Sequence, residues 1–536
     1  MATPSETSAD SDATRRVDTI QEDKVVARGQ AGEGGPTMRE IEEKGERGVE
    51  PGADAERGSE RDEDGVMIEN GVPIVRMRDD QDPESPLNFS YFRKWLIVIT
   101  ITSASFCITS CSSAIAFTYP QVEAEFGISQ EVATLGLSLF VLGMGLFPLL
   151  VGPLSEWYGR SPVYIIGFGC FLIFQFMCAF ANNAATLLIG RFLAGASGSA
   201  FLSVAGGSVA DLFRPAEVGA PMQFYTAGPF LGPIGGPLVN GFVNQHLDWR
   251  WTWRLFIIWA GVELVLLILL VPETYMQAVL KKKAKRLRKA GRTDVRAPIE
   301  VDTRSIASVI AVSCTRPFQL LVLEPMATML CLWTAILLGI IYMTFTAYSF
   351  VYGANGYGFQ VQIVGLTYIP LGLGIFIAAW THPIWAKFYR KKAEQLGRRP
   401  PPEEHLRKGL YGVVICPLAL FWFAFTTYTS VHWIVSLIAT SFFGFGVMLS
   451  FSAVFTYLVD AYRPVAASAM AANSAMRSSF AAAFPLFTSQ MFRTLGTQYA
   501  LMLCAFLCLA IVPFPFLFFK NGHKYRKGSK FANQEE

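Results

Sequence analysis

The 536-residue sequence is poor in charge and poorer still in histidine. Asp, Glu, Lys and Arg together make up 16% of it, and there are five histidines. Globular chains carry about a quarter charged residues, so much of this chain must lie out of water. No Gly-x-x-x-x-Gly-Lys-Ser/Thr loop occurs, which removes the phosphate cradle of an ATP-driven machine. The nine cysteines include no C-x-x-C pair, and all but Cys314 fall in apolar runs. They read as small buried apolar residues, and no metal site is expected. No nucleophile–base pair stands out, which argues against an enzyme; no cofactor and no nucleic-acid partner are expected. No apolar run lies near Met1, so no signal peptide is expected.

What is present is apolar. Hydrophobic residues reach 52%, with 43 phenylalanines, at a mean hydropathy of +0.36. Charge is unevenly placed. Residues 1–86 hold 23 of the 42 acids but 11 of the 45 bases, leaving 34 bases against 19 acids beyond them. A Glu-, Asp- and Gly-rich stretch with few aromatics cannot bury enough surface to offset chain entropy, so 1–86 reads as a disordered acidic tail. A bilayer-spanning helix needs ~20 mostly apolar residues. Twelve runs qualify, at about 95–117, 132–152, 162–181, 186–210, 221–243, 252–271, 327–349, 364–385, 410–427, 432–458, 465–491 and 498–519. The fold class expected is therefore an all-α membrane protein of twelve transmembrane helices.

Loop charge sets the orientation. With the tail inside, the outer loops 119–131, 181–185, 352–362 and 426–431 contain no Lys or Arg, with Arg250, Arg254 and Arg493 as exceptions on the outer side. The inner segments 281–296, 387–408 and 520–530 are strongly basic. Both termini are expected in the cytosol. The chain also repeats itself. Asp211-Leu-Phe-Arg-Pro215 recurs as Asp460-Ala-Tyr-Arg-Pro464, each after the fourth helix of a set of six. Pro153–Arg160 is echoed by Pro383–Arg390, with Pro, an aliphatic, an aromatic and Arg in register. The domains expected are thus the tail 1–86, a six-helix half 87–271, a basic central loop 272–325, a second half 326–519 and a tail 520–536. Parallel halves with a site between them are a transporter architecture.

Several residues invite function. Gly152, Glu156, Gly159 and Arg160 stand where the second span meets the cytosol; Gly159 permits a tight turn, and Glu156 with Arg160 places opposite charges at a helix end. Asp211, Arg214, Asp460 and Arg463 are the charges of the repeated turn. Arg191 lies inside the fourth span, where a charge costs ~2.5–3.5 kcal/mol or more and faces a cavity, a partner or the interface. Glu263 lies mid-span in the sixth, without a base within a turn; it is either a proton carrier or a neutral packed acid. Gly228, Gly232 and Gly236, with Pro229 and Pro233, form a small-residue face suited to close helix packing. Tyr342, Phe345, Tyr348 and Tyr352 make a stripe that serves either packing or an apolar cavity. Asn473 and Arg477, one turn apart, are further candidates for that cavity.

Three of these segments carry a resemblance. Gly152, Leu154, Glu156, Gly159 and Arg160 resemble the cytoplasmic loop signature of the major facilitator superfamily, Gly-x-Leu-x-Asp-x-x-Gly-Arg, with Glu for Asp and without the basic residue that follows. Arg191, Gly195 and Gly198 match its fourth-helix signature, where the arginine is linked to proton coupling. Gly228-Pro-Phe-Leu-Gly-Pro-Ile-Gly-Gly236 is similar to the fifth-helix signature of its drug:proton antiporters. Phe117–Gln121, Asp248–Phe256, Pro272–Tyr275 and Ala471–Arg477 are similar to fungal members of that group. The resemblance covers about Asn88 to Lys520. It implies proton-coupled export of a small organic molecule, a secondary metabolite, toxin or drug, by a monomer in the plasma membrane. Polyamines, an organic acid such as itaconate, or a secreted glycolipid are alternative cargoes; the vacuolar membrane is an alternative address. Import of a nutrient or siderophore, and a sensor without flux, are rival activities. The roles implied are Arg191 and Glu263 in coupling, the loop charges as conformational latches, and Tyr342, Phe345, Tyr348, Asn473 and Arg477 around the substrate, with protons and the lipid bilayer as the other partners.

Overall fold

The computed structural model describes residues 65–69, 72–78 and 82–532, apart from 215–216, 302–305, 355, 399, 528 and 530. By contact density Met1–Glu56 and Arg390–Pro400 form one unit, of which only 390–400 is described, as a helix end and turn. Arg57–Tyr389 with Pro401–Glu536 form the other, which carries every contact discussed below.

The helices come in the expected order. The N-terminal half holds α1 (Tyr91–Phe117), α2 (Gln130–Leu146), α3 (Pro148–Tyr158), α4 (Arg160–Ala179), α5 (Ala184–Leu212), α6 (Gly219–His246) and α7 (Arg250–Leu270). The central segment holds α8 (Met276–Lys289) and α9 (Ile306–Leu323). The C-terminal half holds α10 (Pro325–Tyr352), α11 (Val361–Leu396), α12 (Pro402–Phe425), α13 (Trp433–Ala461), α14 (Ala466–Leu495) and α15 (Thr497–Lys527). Among the described residues, nine helices are long and apolar enough to cross a membrane, or ten if the bent pair α2–α3 counts as one. The other two expected spans are α6 and α14, of 28 and 30 residues. Gly and Pro in α6, and Ser, Asn and Arg in α14, dilute their hydropathy, not their length.

The bend between α2 and α3 is 42°. Pro148 starts α3 and has no N–H to continue the ladder. The prolines of α6 do not divide it; it runs as one helix from Gly219 to His246. Apolar side chains such as Ile173, Phe180, Ile258, Leu269, Trp380 and Leu418 stand more than half exposed on the helix exteriors. On spans of this length an outward apolar surface belongs against lipid.

The close of the 1–86 tail carries structure. Val66–Glu69 and Val72–Val75 pair antiparallel, and Val75 N donates to Arg296 O while Arg296 N donates to Pro73 O, both at 2.9 Å. Val66 and Val75 share a small core with Leu280 and Ala284 of α8 and with Val295 and Ala297. Asp82 and Lys283 form a buried pair at 3.3 Å. Burial pushes the Asp82 carboxyl up, but the backbone N–H groups of Arg78 and Glu84, with Lys283, outweigh it and hold the carboxyl below its ordinary range. The rest of the tail lies outside the described residues.

Candidate functional site

The near end of the bundle, where α1 begins, carries a charged network within the N-terminal half. Arg160 Nε lies 3.2 Å from Asp211 Oδ2, Arg160 Nη1 donates to Ser155 Oγ at 2.7 Å, and the guanidinium covers the Tyr275 ring at 4.9 Å. Burial raises the Tyr275 phenol above its ordinary range. Glu273 accepts from the backbone N–H groups of Arg160, Ser161, Thr274 and Tyr275 at 2.8–3.2 Å. A carboxylate at the first turn of α4 answers the unpaired N–H groups and the dipole there. Gly159 must be glycine on two counts: its φ is +101°, and an added Cβ would stand 2.8 Å from Glu273 Cδ. Gly152 has open space where a Cβ would stand.

Of the latch residues, then, the structure joins Arg160 to Asp211 and adds Glu273, which accepts from backbone N–H groups. Glu156 and Arg214 are exposed, and Glu156 acts on Asp211 and Tyr275 through its charge alone. In the repeat, Asp460 lies 2.7 Å from its own Arg463 and 3.3 Å from His405.

The glycine face of α6 lies against α1. A Cβ on Gly228 would stand 2.5 Å from Thr102 Cγ2, one on Gly232 2.7 Å from Thr109 Cβ, and one on Gly236 3.2 Å from Ala114 N. Pro233 is buried beside them and Pro229 half-buried. Farther along, α6 crosses to the other half: a Cβ on Gly365 of α11 would stand 2.6 Å from Pro237 O.

Arg191 is wholly buried within the N-terminal half. Nε donates to Gly136 O, Nη1 to Cys111 O and Nη2 to Ser112 O, each at 3.0 Å. The guanidinium also lies 4.1 Å from the Phe140 ring centre and 4.9 Å from that of Trp253. The helix α1 passes into a 3₁₀ turn at Ile115–Phe117, which alters the i→i+4 ladder just where Cys111 and Ser112 offer their carbonyls. Arg191 thus ties α1, α2 and α5 together, and among the described residues it has no carboxylate partner.

Glu263 of α7 is buried; Ser103 Oγ of α1 donates to its Oε1, and its Oε2 has no hydrogen-bond partner. Ser103 and Cys111 are eight residues apart on α1, about 12 Å of helix rise, so one helix carries the contacts of both groups.

The aromatic stripe is packed ring to ring. Tyr342, Phe345 and Tyr348 are each at most 2% exposed. Phe345 and Tyr348 lie 5.6 and 4.5 Å from the Tyr368 ring, and Tyr348 5.9 Å from Phe423. Tyr348 also borders a small cavity between α10, α12, α13 and α15 with Met343 and Cys504. Asn473 Nδ2 donates to Thr334 Oγ1 at 2.7 Å, within the C-terminal half. Arg477, one turn on from Asn473, lies at the seam between halves. Among the described residues four hydrogen bonds join the halves: Ser112 with Tyr342, Gln245 with Val361, His246 with Gln362 and Gln130 with Arg493. All four lie toward the far end, where α1 finishes. Sequence reasoning missed this far-end tie; the apposed glutamines in the loops carried no pattern to mark it.

Residues 101–485 match the family described as Major Facilitator Superfamily. The sequence is 43% identical over 467 residues to "Efflux pump atB" of Aspergillus terreus, covering 86% of this chain and 90% of that one. It is 38% identical over 484 residues to "Probable drug/proton antiporter YHK8" of Saccharomyces cerevisiae, covering 89% and 93%. The fold is similar to that of the xylose transporter XylE from E. coli in a partially occluded inward open conformation, with a TM-score of 0.56 at 17% identity, covering 80% and 98%.

Proposed function

Because this chain belongs to the major facilitator superfamily and is a multi-pass membrane transporter, we propose that it is a proton-coupled exporter of a small organic molecule, a fungal secondary metabolite, toxin or drug. It works as a monomer in the plasma membrane with both termini in the cytosol, so the near end is cytosolic. The observation that carries this reading is the one-sided seam: the hydrogen bonds between halves lie at the far end, while the near-end network stays within one half. An exporter must load from the near side and then break the far-side ties. Glu263 is the proton-bearing group, since it is the carboxylate that stands in the middle of a span, where Ser103 holds it. Arg191 is a positioning residue for that coupling, holding α1 against α2 and α5.

The test is transport by the purified chain in proteoliposomes under an imposed pH gradient, with a panel of aromatic dyes and organic acids. Outward movement that collapses with the gradient is expected, and Glu263→Gln should exchange solute without responding to the gradient. Flux indifferent to the gradient in the wild type, or net inward accumulation in cells bearing the protein, would overturn the reading.

A further inference from the structure

Arg477 brings a cation to the seam with nothing of opposite sign to meet it. Its guanidinium carbon lies 5.7 Å from the Phe451 ring centre and 5.3 Å from that of Phe455. Those two rings of α13 meet Phe230 of α6 at 4.8 and 6.4 Å. The cation therefore stands where the two halves touch, and the next residue, Ser478, packs against Gly145 of α2. Arg477 Nε is buried and has no hydrogen-bond partner. Among the described residues Arg477 forms no ion pair, and the spans have little to give it. Apart from Glu263, which Ser103 engages, their acids stand at or near the helix ends.

Ring faces attract a cation only weakly compared with an anion in a dry setting. A guanidinium left so gains from any acceptor that arrives with one negative charge. Its planar fork fits a carboxylate in two parallel hydrogen bonds. Phe230 and Phe455, both part-exposed, offer flat apolar surface beside the charge, with Phe451 buried behind them. We infer that Arg477 receives the carboxylate of an organic cargo whose flat apolar body lies against Phe230 and Phe455. This rests on the exporter reading above and names its substrate class. Arg191 cannot take this role, because its donors are already committed to backbone carbonyls.

The full-length protein in lipid nanodiscs decides it by calorimetric titration with 2-naphthoate, 2-naphthamide and 2-naphthylmethylamine, three probes of one ring system and different charge. Naphthoate should bind about tenfold or more tighter than naphthamide, the gain of one charge-assisted contact. Arg477→Gln should bind the two alike, with naphthamide unchanged, and Arg477→Lys should keep part of the preference. Equal binding of naphthoate and naphthamide by the wild type, tightest binding of the amine, or a preference that survives Arg477→Gln would each overturn the inference. The wild-type ranking needs no variant, so it decides the matter even where Arg477→Gln fails to fold. Proteoliposomes separate the two readings. Naphthoate bound with the stated preference but never moved by a pH gradient would sink the exporter and leave the anion site standing. Gradient-driven export of the amine with no preference for naphthoate would do the reverse.

Discussion

Arg191 and Arg477 both lie deep in spanning helices of this protein, and they are held in opposite ways. Arg191 spends its donors on three backbone carbonyls from two neighbouring helices and lies against two aromatic rings. Arg477 has ring faces beside it and an Nε without a partner. The first is part of how one half is built. The second is a charge kept available where the halves meet. A buried cation thus signals function less by its presence than by what it lacks, since a fully bonded guanidinium is as structural as a packed tryptophan.

That contrast can be broken or sharpened by experiment. Arg191→Ala should have the largest effect on stability: three buried carbonyls lose their donor, at about 1–3 kcal/mol each. Thermal unfolding of the purified protein should show a marked fall in midpoint, and Arg191→Lys should recover little, because one ammonium cannot span three acceptors. Asp211→Asn should cost less, about 1–2 kcal/mol, as expected for a pair lying between surface and core; the same melting experiment reads it. Arg477→Ala should change the midpoint by no more than about 1 kcal/mol allows, since only ring contacts are lost.

The smallest effect is expected from an ion pair at the far end, where Arg250 holds Glu125 of the short helix Tyr119–Phe126. The Arg250 hydrogen bonds, with that of Trp249, hold the Glu125 carboxyl below its ordinary range. A lowered folded-state pKa stabilises above the unfolded value of about 4.3, and the gain is lost as pH falls through the folded value. The midpoint difference between wild type and Glu125→Gln should therefore be constant near neutrality and vanish toward pH ~3. A difference that persists there would place its cause outside this carboxylate.

Much of the architecture was legible in the sequence, because a bilayer leaves few ways to satisfy a backbone. Run length marked α6 and α14 even though their hydropathy is diluted, and the repeat at Asp211 and Asp460 marked two halves. The glycine face of α6 was readable for the same reason: small residues every fourth position mean a close neighbour, which proved to be α1. The partners of Arg191 left no local trace: they are carbonyls, which every residue has, so no pattern announces them. The hairpin at 66–75 is stabilised by α8 and by Arg296, some 200 residues away; its own sequence, two apolar runs around Asn70-Gly71, carries a hairpin signal, which a reading of the acidic tail by its overall composition passed over.

The most direct test of the contrast is one thermal-unfolding series on the wild type, Arg191→Ala and Arg477→Ala, each with and without saturating 2-naphthoate. The account predicts a lower midpoint for Arg191→Ala that naphthoate still raises. It predicts for Arg477→Ala a midpoint close to wild type that naphthoate no longer raises. An Arg191→Ala protein as stable as wild type, or an Arg477→Ala protein still stabilised by naphthoate as wild type is, would contradict it.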